Sequence, residues 1–224
     1  GLYLSAHPLD EYSVILNHVC NARMIDIQPF TRQRNLSPLP EGESLRPLAE
    51  GQELSMGGIV TNVVDRISKN NNPFLIGTVE DYSGSAEFAL FGEDYVKFKS
   101  YFMKGLFLYI RGTLQSNRWN KEILELKITS VDLLPSVCDR LVEKITIATP
   151  LSRFEEAVAC ASTCKEREAA LSFVVTDDVS EANPLPTLTL AARKKRIKVD
   201  RNLIKTLREN DFAYGINEKK AVAS

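Results

Sequence analysis

Residues 53–91 read ELSMGGIVTNVVDRISKNNNPFLIGTVEDYSGSAEFALF. Ile, Val, Phe and Leu recur here at strand spacing, and clusters of turn residues cut the run into pieces. Glu53–Ile67 reads as one long strand in which Gly57-Gly58 permits a bulge or a sharp bend. Ser68-Lys69-Asn70-Asn71-Asn72-Pro73 ends it. Phe74–Glu80 is a second strand, Asp81-Tyr82-Ser83-Gly84 a tight turn organised by the aspartate, and Ser85–Phe91 a third strand.

Working outward, Glu93–Tyr101 reads as a short helix with Tyr95, Phe98, Tyr101 and Phe102 on one side. Gly105–Leu114 is a fourth strand, Ser116–Asn120 its turn, and Lys121–Val131 a fifth. Five strands with one helix between the third and fourth is the order of an OB barrel, whose first strand must curl to pair with both halves of the sheet. Another small five-stranded barrel is the competing topology.

The flanks have different textures. In residues 1–51, Leu9, Tyr12, Ile15, Leu16 and Val19 recur at helix spacing from Pro8 to about Cys20. A proline-containing connector follows, expected to pack on neighbouring domains. Residues 52–135 are the barrel. In residues 136–224 the expected order is strand Lys144–Ala148, helix Leu151–Cys164, strand Ala170–Thr176, polar loop Asp177–Pro186, a hairpin of Thr187–Ala192 with Arg196–Val199, and helix Arg201–Glu209. That order describes a small α+β domain. The fold class expected is therefore β barrel plus α+β: a five-stranded OB-fold, an N-terminal helical and irregular segment, and a small C-terminal α+β interaction domain.

Composition narrows the function classes. With 44% hydrophobic and 25% charged residues in 224, the chain can build one large domain or two modest ones, each with its own core. No apolar run approaches the roughly 18–20 residues of a membrane span. The start, GLYLSAHPLDEY, has no basic leader followed by an apolar stretch, so no signal peptide is expected. The chain does not begin with Met and is expected to be a piece of something longer. Cys20, Cys138, Cys160 and Cys164 form no CxxC pair and have no histidine pair nearby, which points to reduced thiols in a cytoplasmic protein with no metal or other cofactor. The only histidines are His7 and His18. Adjacent carboxylates Glu80-Asp81 and Asp177-Asp178 do not converge on one ligand when they lie on a strand. No catalytic site is legible.

Net charge is −1, and only residues 138–224 carry more basic than acidic side chains. Any nucleic-acid surface must therefore be a local patch with salt-sensitive affinity. An OB barrel binds oligonucleotides or oligosaccharides across its second and third strands, gripped by the 1–2 and 4–5 loops. The first loop region holds Arg66, Lys69 and Asn71, and the second holds Arg118, Trp119 and Lys121. Cations suit phosphates, Asn suits bases or backbone, and Trp119, the only tryptophan, either stacks on a base or folds over the barrel end. Phe74, beside the first loop, is a base-contact candidate, whereas Phe88 and Phe91 read as core. Arg193-Lys194-Lys195-Arg196 is the densest basic block and suits phosphates, an acidic partner, or simply a solvated hairpin tip.

The block GLYLSAHPLDEY at Gly1–Tyr12 resembles the segment that precedes the OB domain in bacterial DNA polymerase III alpha subunits. Gly58-Ile59-Val60-Thr61, Pro73-Phe74, Thr78-Val79-Glu80-Asp81, Gly84-Ser85, Glu87 and Leu90-Phe91 are similar to that family's barrel. The resemblance covers about residues 1–135. It implies a non-catalytic C-terminal stretch of a DNA-directed DNA polymerase (a nucleotidyltransferase of the replisome). Its barrel would bind single-stranded template DNA, its last domain would contact the clamp-loader tau subunit, and its first segment would rest on the remainder of the polymerase chain. The loop after Arg66 is asparagine-rich where the family tends to be more basic. Two other readings of the residues are a structural protein-interaction platform and a tRNA-anticodon-binding OB module of an aminoacyl-tRNA synthetase.

Overall fold

The computed structural model describes residues 7–31, 36, 38–39, 42, 44–117, 120–164, 169–176 and 187–217, apart from the side chains of Cys138 and Asp139. The chain divides into two compact units, Gly1–Asp10 with Cys20–Val137, and Glu11–Val19 with Cys138–Ser224. In chain order, α1 (Ser13–His18) and α2 (Met24–Ile27) come first. Five strands follow: β1 (Glu53–Ile67), β2 (Pro73–Asp81), β3 (Gly84–Phe91), β4 (Phe107–Ser116) and β5 (Leu124–Leu133), with α3 (Gly92–Phe98) between β3 and β4. Then come α4 (Leu134–Leu141), β6 (Lys144–Pro150), α5 (Phe154–Ser162), β7 (Ala169–Thr176), β8 (Leu188–Ile197), α6 (Arg201–Glu209) and β9 (Ala213–Ile216).

The first unit is an OB-fold, with strand order β3-β2-β1-β4-β5, every pair antiparallel. β1 serves two partners: its first half pairs with β4 and its second with β2, and Ile59 is in register with both Glu80 and Phe107. Gly58 makes that handover possible, because a Cβ there would stand 2.5 Å from the Glu80 carbonyl oxygen. The register shift itself falls between Val60 and Asn62, a few residues beyond the expected Gly57-Gly58. The glycine thus provides close strand approach and Thr61 the bulge.

Alternation along the strands fills the interior. Leu75 and Val79 of β2 and Ala86, Phe88 and Leu90 of β3 are buried, as are Met56, Leu108, Ile110 and Leu114. Phe102, just past α3, is buried against Gly77, where a side chain would collide with its ring. The connector seals one flank. Met24 N–H donates to Asp81 Oδ2 (2.9 Å), Ile25 N–H to Ser83 Oγ (3.2 Å), and the buried Gln28 amide to the Ser85 carbonyl. Gln28–Phe30, a short 3-10 turn, then lies against both β3 and β5, the two edges of the sheet.

The second unit carries a four-stranded sheet of order β8-β7-β6-β9. β6 and β7 are parallel and joined through α5, which buries Ala157 and Ala161 and sets Phe154 edge-on to Phe173 at 5.3 Å. α6 is capped by Asp200, whose Oδ1 accepts from Leu203 N–H (3.1 Å), and buries Leu203, Ile204 and Leu207. Two expectations are corrected. The hairpin of Thr187–Ala192 with Arg196–Val199 is one strand, β8, and the basic block is not a hairpin tip. The helices and strands also include α4 and β9, which sequence periodicity left unassigned; β9 is only 4 residues long and is defined by its pairing with β6. The polar loop expected at Asp177–Pro186 lies outside the described residues.

Candidate nucleic-acid interface

The β1–β2 turn is built around Ser68. Its N–H donates to the Asn72 carbonyl (2.9 Å), its carbonyl accepts from Asn71 N–H (2.9 Å), and its Oγ accepts from Asn72 N–H (3.1 Å). Asn71 sits at φ +58°, a left-handed conformation that Asn tolerates better than most residues. The turn is thus closed by its own groups, which leaves Lys69, Asn70 and Asn71 exposed. Arg66, at the end of β1, is exposed and in register with Phe74 of β2.

Phe74 is in turn in register with Phe91 of β3, and the two rings stack at 4.9 Å with an interplanar angle of 16°. Phe91 borders a cavity of about 720 Å³ that Ser68, Asn72, Pro73, Tyr95 and Val96 also line. Its surroundings are apolar and open: Val96 is 75% and nearby Ile67 70% exposed. Lys97 of α3 stands at its rim and is paired with Glu93 (3.2 Å). A flat aromatic wall and an apolar floor, with the exposed Arg66 and Lys69 on the adjoining turn, suit a base whose phosphate stays in solvent.

Phe91 also borders a second, smaller hollow of about 270 Å³ between β3 and β5. Here the lining is acidic: Glu87, Asp94 and Glu125 face it with one cation, Lys127. Glu125 accepts from the Asn117 side-chain amide (2.9 Å), an anchor of the β4–β5 loop. Among the described residues three carboxylates and one cation border this hollow, a poorer match to a phosphate backbone than the β1–β2 turn, where Arg66 and Lys69 are exposed.

The expected site residues therefore separate. Arg66, Lys69, Asn71 and Phe74 gather at one turn. Lys121 is exposed in the β4–β5 loop, while Arg118 and Trp119 of that loop lie outside the described residues, as do Gly1–Ala6 and Asp177-Asp178. Arg193–Arg196 belong to β8 of the other unit. Phe91 was expected in the core, yet it is 38% exposed whereas Phe88 is buried at 3%. The signal was available in the strand period: Ala86, Phe88 and Leu90 share the inward phase, and Phe91 falls on the outward one.

Among the described residues no group of three or more His, Cys, Asp or Glu side chains is placed to hold a metal ion, and no helix is long and apolar enough to cross a membrane. Burial, and then the charge of Asp81, push the Cys20 thiol up to about 12, which removes its nucleophilic form at neutral pH.

Residues 55–134 match the family described as the OB-fold nucleic acid binding domain. The DNA polymerase III alpha subunit of Borreliella burgdorferi is 24% identical over 135 residues, 60% of this chain and 10% of that protein. The corresponding subunit of Saccharopolyspora erythraea is 24% identical over 159 residues, 70% of this chain and 12% of that protein. This chain spans about a tenth of the length of the curated relatives it matches. Among solved structures, the mitochondrial single-stranded DNA binding protein Rim1 of S. cerevisiae aligns with 38% of this chain and 96% of its own, at 18% identity and a TM-score of 0.28.

Proposed function

We propose that the OB unit binds single-stranded DNA at the β1–β2 turn, as part of a replicative DNA-directed DNA polymerase, and that this stretch of chain is itself non-catalytic. The observation that carries the reading is the outward Phe74–Phe91 stack beside an apolar cavity and the exposed Arg66 and Lys69. The sequence likeness to DNA polymerase III alpha subunits supports the replicative context. In that context the second unit is the surface for the clamp-loader tau subunit, the rest of the polymerase chain adjoins the first segment, and the cytoplasmic replisome is the setting.

Titration of the chain with oligo(dT) at low and moderate salt tests this. Trp119, the sole tryptophan, reports locally in the β4–β5 loop, and anisotropy of labelled DNA gives the affinity. Binding that weakens with salt, and that Phe74→Ala or Phe91→Ala each weaken by about 1–3 kcal/mol, is the expected result. Saturable binding indifferent to both variants would move the site elsewhere, and no binding at low salt would reject it.

A second reading has one observation in its favour. The acidic hollow of Glu87, Asp94 and Glu125 suits a protein contact better than an oligonucleotide, which is what a structural interaction platform would present. Failure of oligo(dT) to bind, together with recovery of clamp-loader subunits in a pull-down, would establish that reading.

A further inference from the structure

β8 lies at the edge of the second sheet, paired with β7 on one side only; among the described residues nothing pairs with its other side. An edge strand presents a row of backbone N–H and C=O groups that another extended chain can complete. β8 is 10 residues long, enough to receive one. Its first half is regular, with Leu188 opposite Val175 and Leu190 opposite Phe173. These two leucines are 55% and 37% exposed, and their spacing of two puts them on one face.

The second half is a large bulge. Between the pairs Ser172–Ala191 and Ala170–Arg196, four residues of β8, Ala192–Lys195, stand opposite Leu171 alone. Three of those four are basic, and Arg196 follows directly. Arg193 and Lys194 are exposed, and no carboxylate among the described residues pairs with Arg193, Lys194 or Lys195.

A basic, bulged edge is also a protection against pairing with a second copy of the same strand, because like charges would be brought side by side. That repulsion is selective: it rejects another β8 and leaves the edge open to a strand of opposite charge. Phosphates would satisfy the cations but would use neither the row of backbone groups nor the two leucines. We propose that the free edge of β8 docks an extended acidic segment of a partner protein, which adds as a fifth strand to this sheet, apolar residues meeting Leu188 and Leu190 and carboxylates meeting Arg193–Lys195. The proposal is independent of DNA binding by the barrel.

The probes are two fluorescein-labelled twelve-residue peptides, one for each strand direction, with alternating Val and Thr at one end and Glu-Asp-Glu at the other. They are titrated against the full 224-residue chain. Saturable anisotropy with one of them, and slowed amide hydrogen exchange within residues 188–197, are expected. R193E/K194E, which changes only exposed side chains, should weaken binding by about tenfold or more while leaving thermal unfolding and oligo(dT) binding unchanged. Methylation of alternate peptide amides, which removes the backbone donors without altering the protein, should abolish it. No binding by either peptide, binding unaffected by methylation, protection outside β8, self-association through β8, or protection of β8 by oligo(dT) instead would each overturn the proposal.

Discussion

Asp26 is buried at the start of the barrel unit with its carboxylate fully shared: Arg23 Nη2 lies 2.9 Å from Oδ1, and the backbone N–H groups of Arg23 and Arg46 donate to it at 3.1 and 3.0 Å. Burial alone would raise its pKa. The Arg23 hydrogen bonds and charge, with the Arg46 amide, outweigh that and hold it below the usual carboxylate value. A folded pKa below the unfolded one means stabilisation that is complete above the ordinary value of about 3.9 and is lost as pH falls through the lower, folded value. Asp26→Asn is therefore expected to cost about 2 kcal/mol at pH 7, through lost charge-assisted hydrogen bonds. Urea unfolding from pH 7 down to pH 2.5 should show a shallower acid decline for the variant than for the parent. Cys20 supplies a second residue-level expectation. With its thiol at about 12, alkylation by iodoacetamide at pH 8 should run far slower than that of glutathione, followed by mass spectrometry. Arg23, the main partner of Asp26, is only three residues away, whereas the Arg46 amide, the burial of Cys20 and the charge of Asp81 come from tertiary structure.

Among the elements, β1 was legible to both ends: its β-branched run is bounded by turn residues, and Glu53–Ile67 is what forms. How it curls was less legible, because the bulge position depends on where β2 and β4 exchange partnership. Gly77 is the element-scale test. A Cβ there meets the Phe102 ring, so Gly77→Ala should destabilise by about 1–3 kcal/mol in thermal or urea unfolding. A neutral Gly77→Ala would mean that the Phe102 ring moves aside at no cost. β8 was misread for a physical reason. Arg193-Lys194-Lys195-Arg196 looks like a solvated turn, but a bulge accommodates four residues opposite one without reversing the chain. The short β9 has no period of its own; its place comes from β6 and from Asn217, whose Oδ1 accepts from Glu143 N–H at 2.8 Å.

For the molecule as a whole, 28 basic and 29 acidic residues leave no general attraction for a polyanion, so DNA affinity must rest on a few placed cations. With Arg66 and Lys69 as phosphate contacts, log Kd for oligo(dT) should change against log salt with a slope of about 1.4, at about 0.7 per neutralised phosphate. Arg66→Ala should reduce that slope by roughly 0.7; anisotropy titrations between 50 and 200 mM salt measure both, and a slope near zero would remove phosphate contacts from the interface. By itself the sequence determined the five-stranded order, the span of β1, the inward place of Phe88 on β3, and Arg66, Lys69, Asn71 and Phe74 as neighbours of one turn. Those features are local, set by side-chain period and turn chemistry within a few residues. Tertiary structure alone decided that Phe91 stacks on Phe74, that carboxylates from β3, α3 and β5 share one hollow, and that the basic block lies on a free sheet edge. Each of these depends on which strands pair and in what register, and pairing joins residues that the chain keeps far apart.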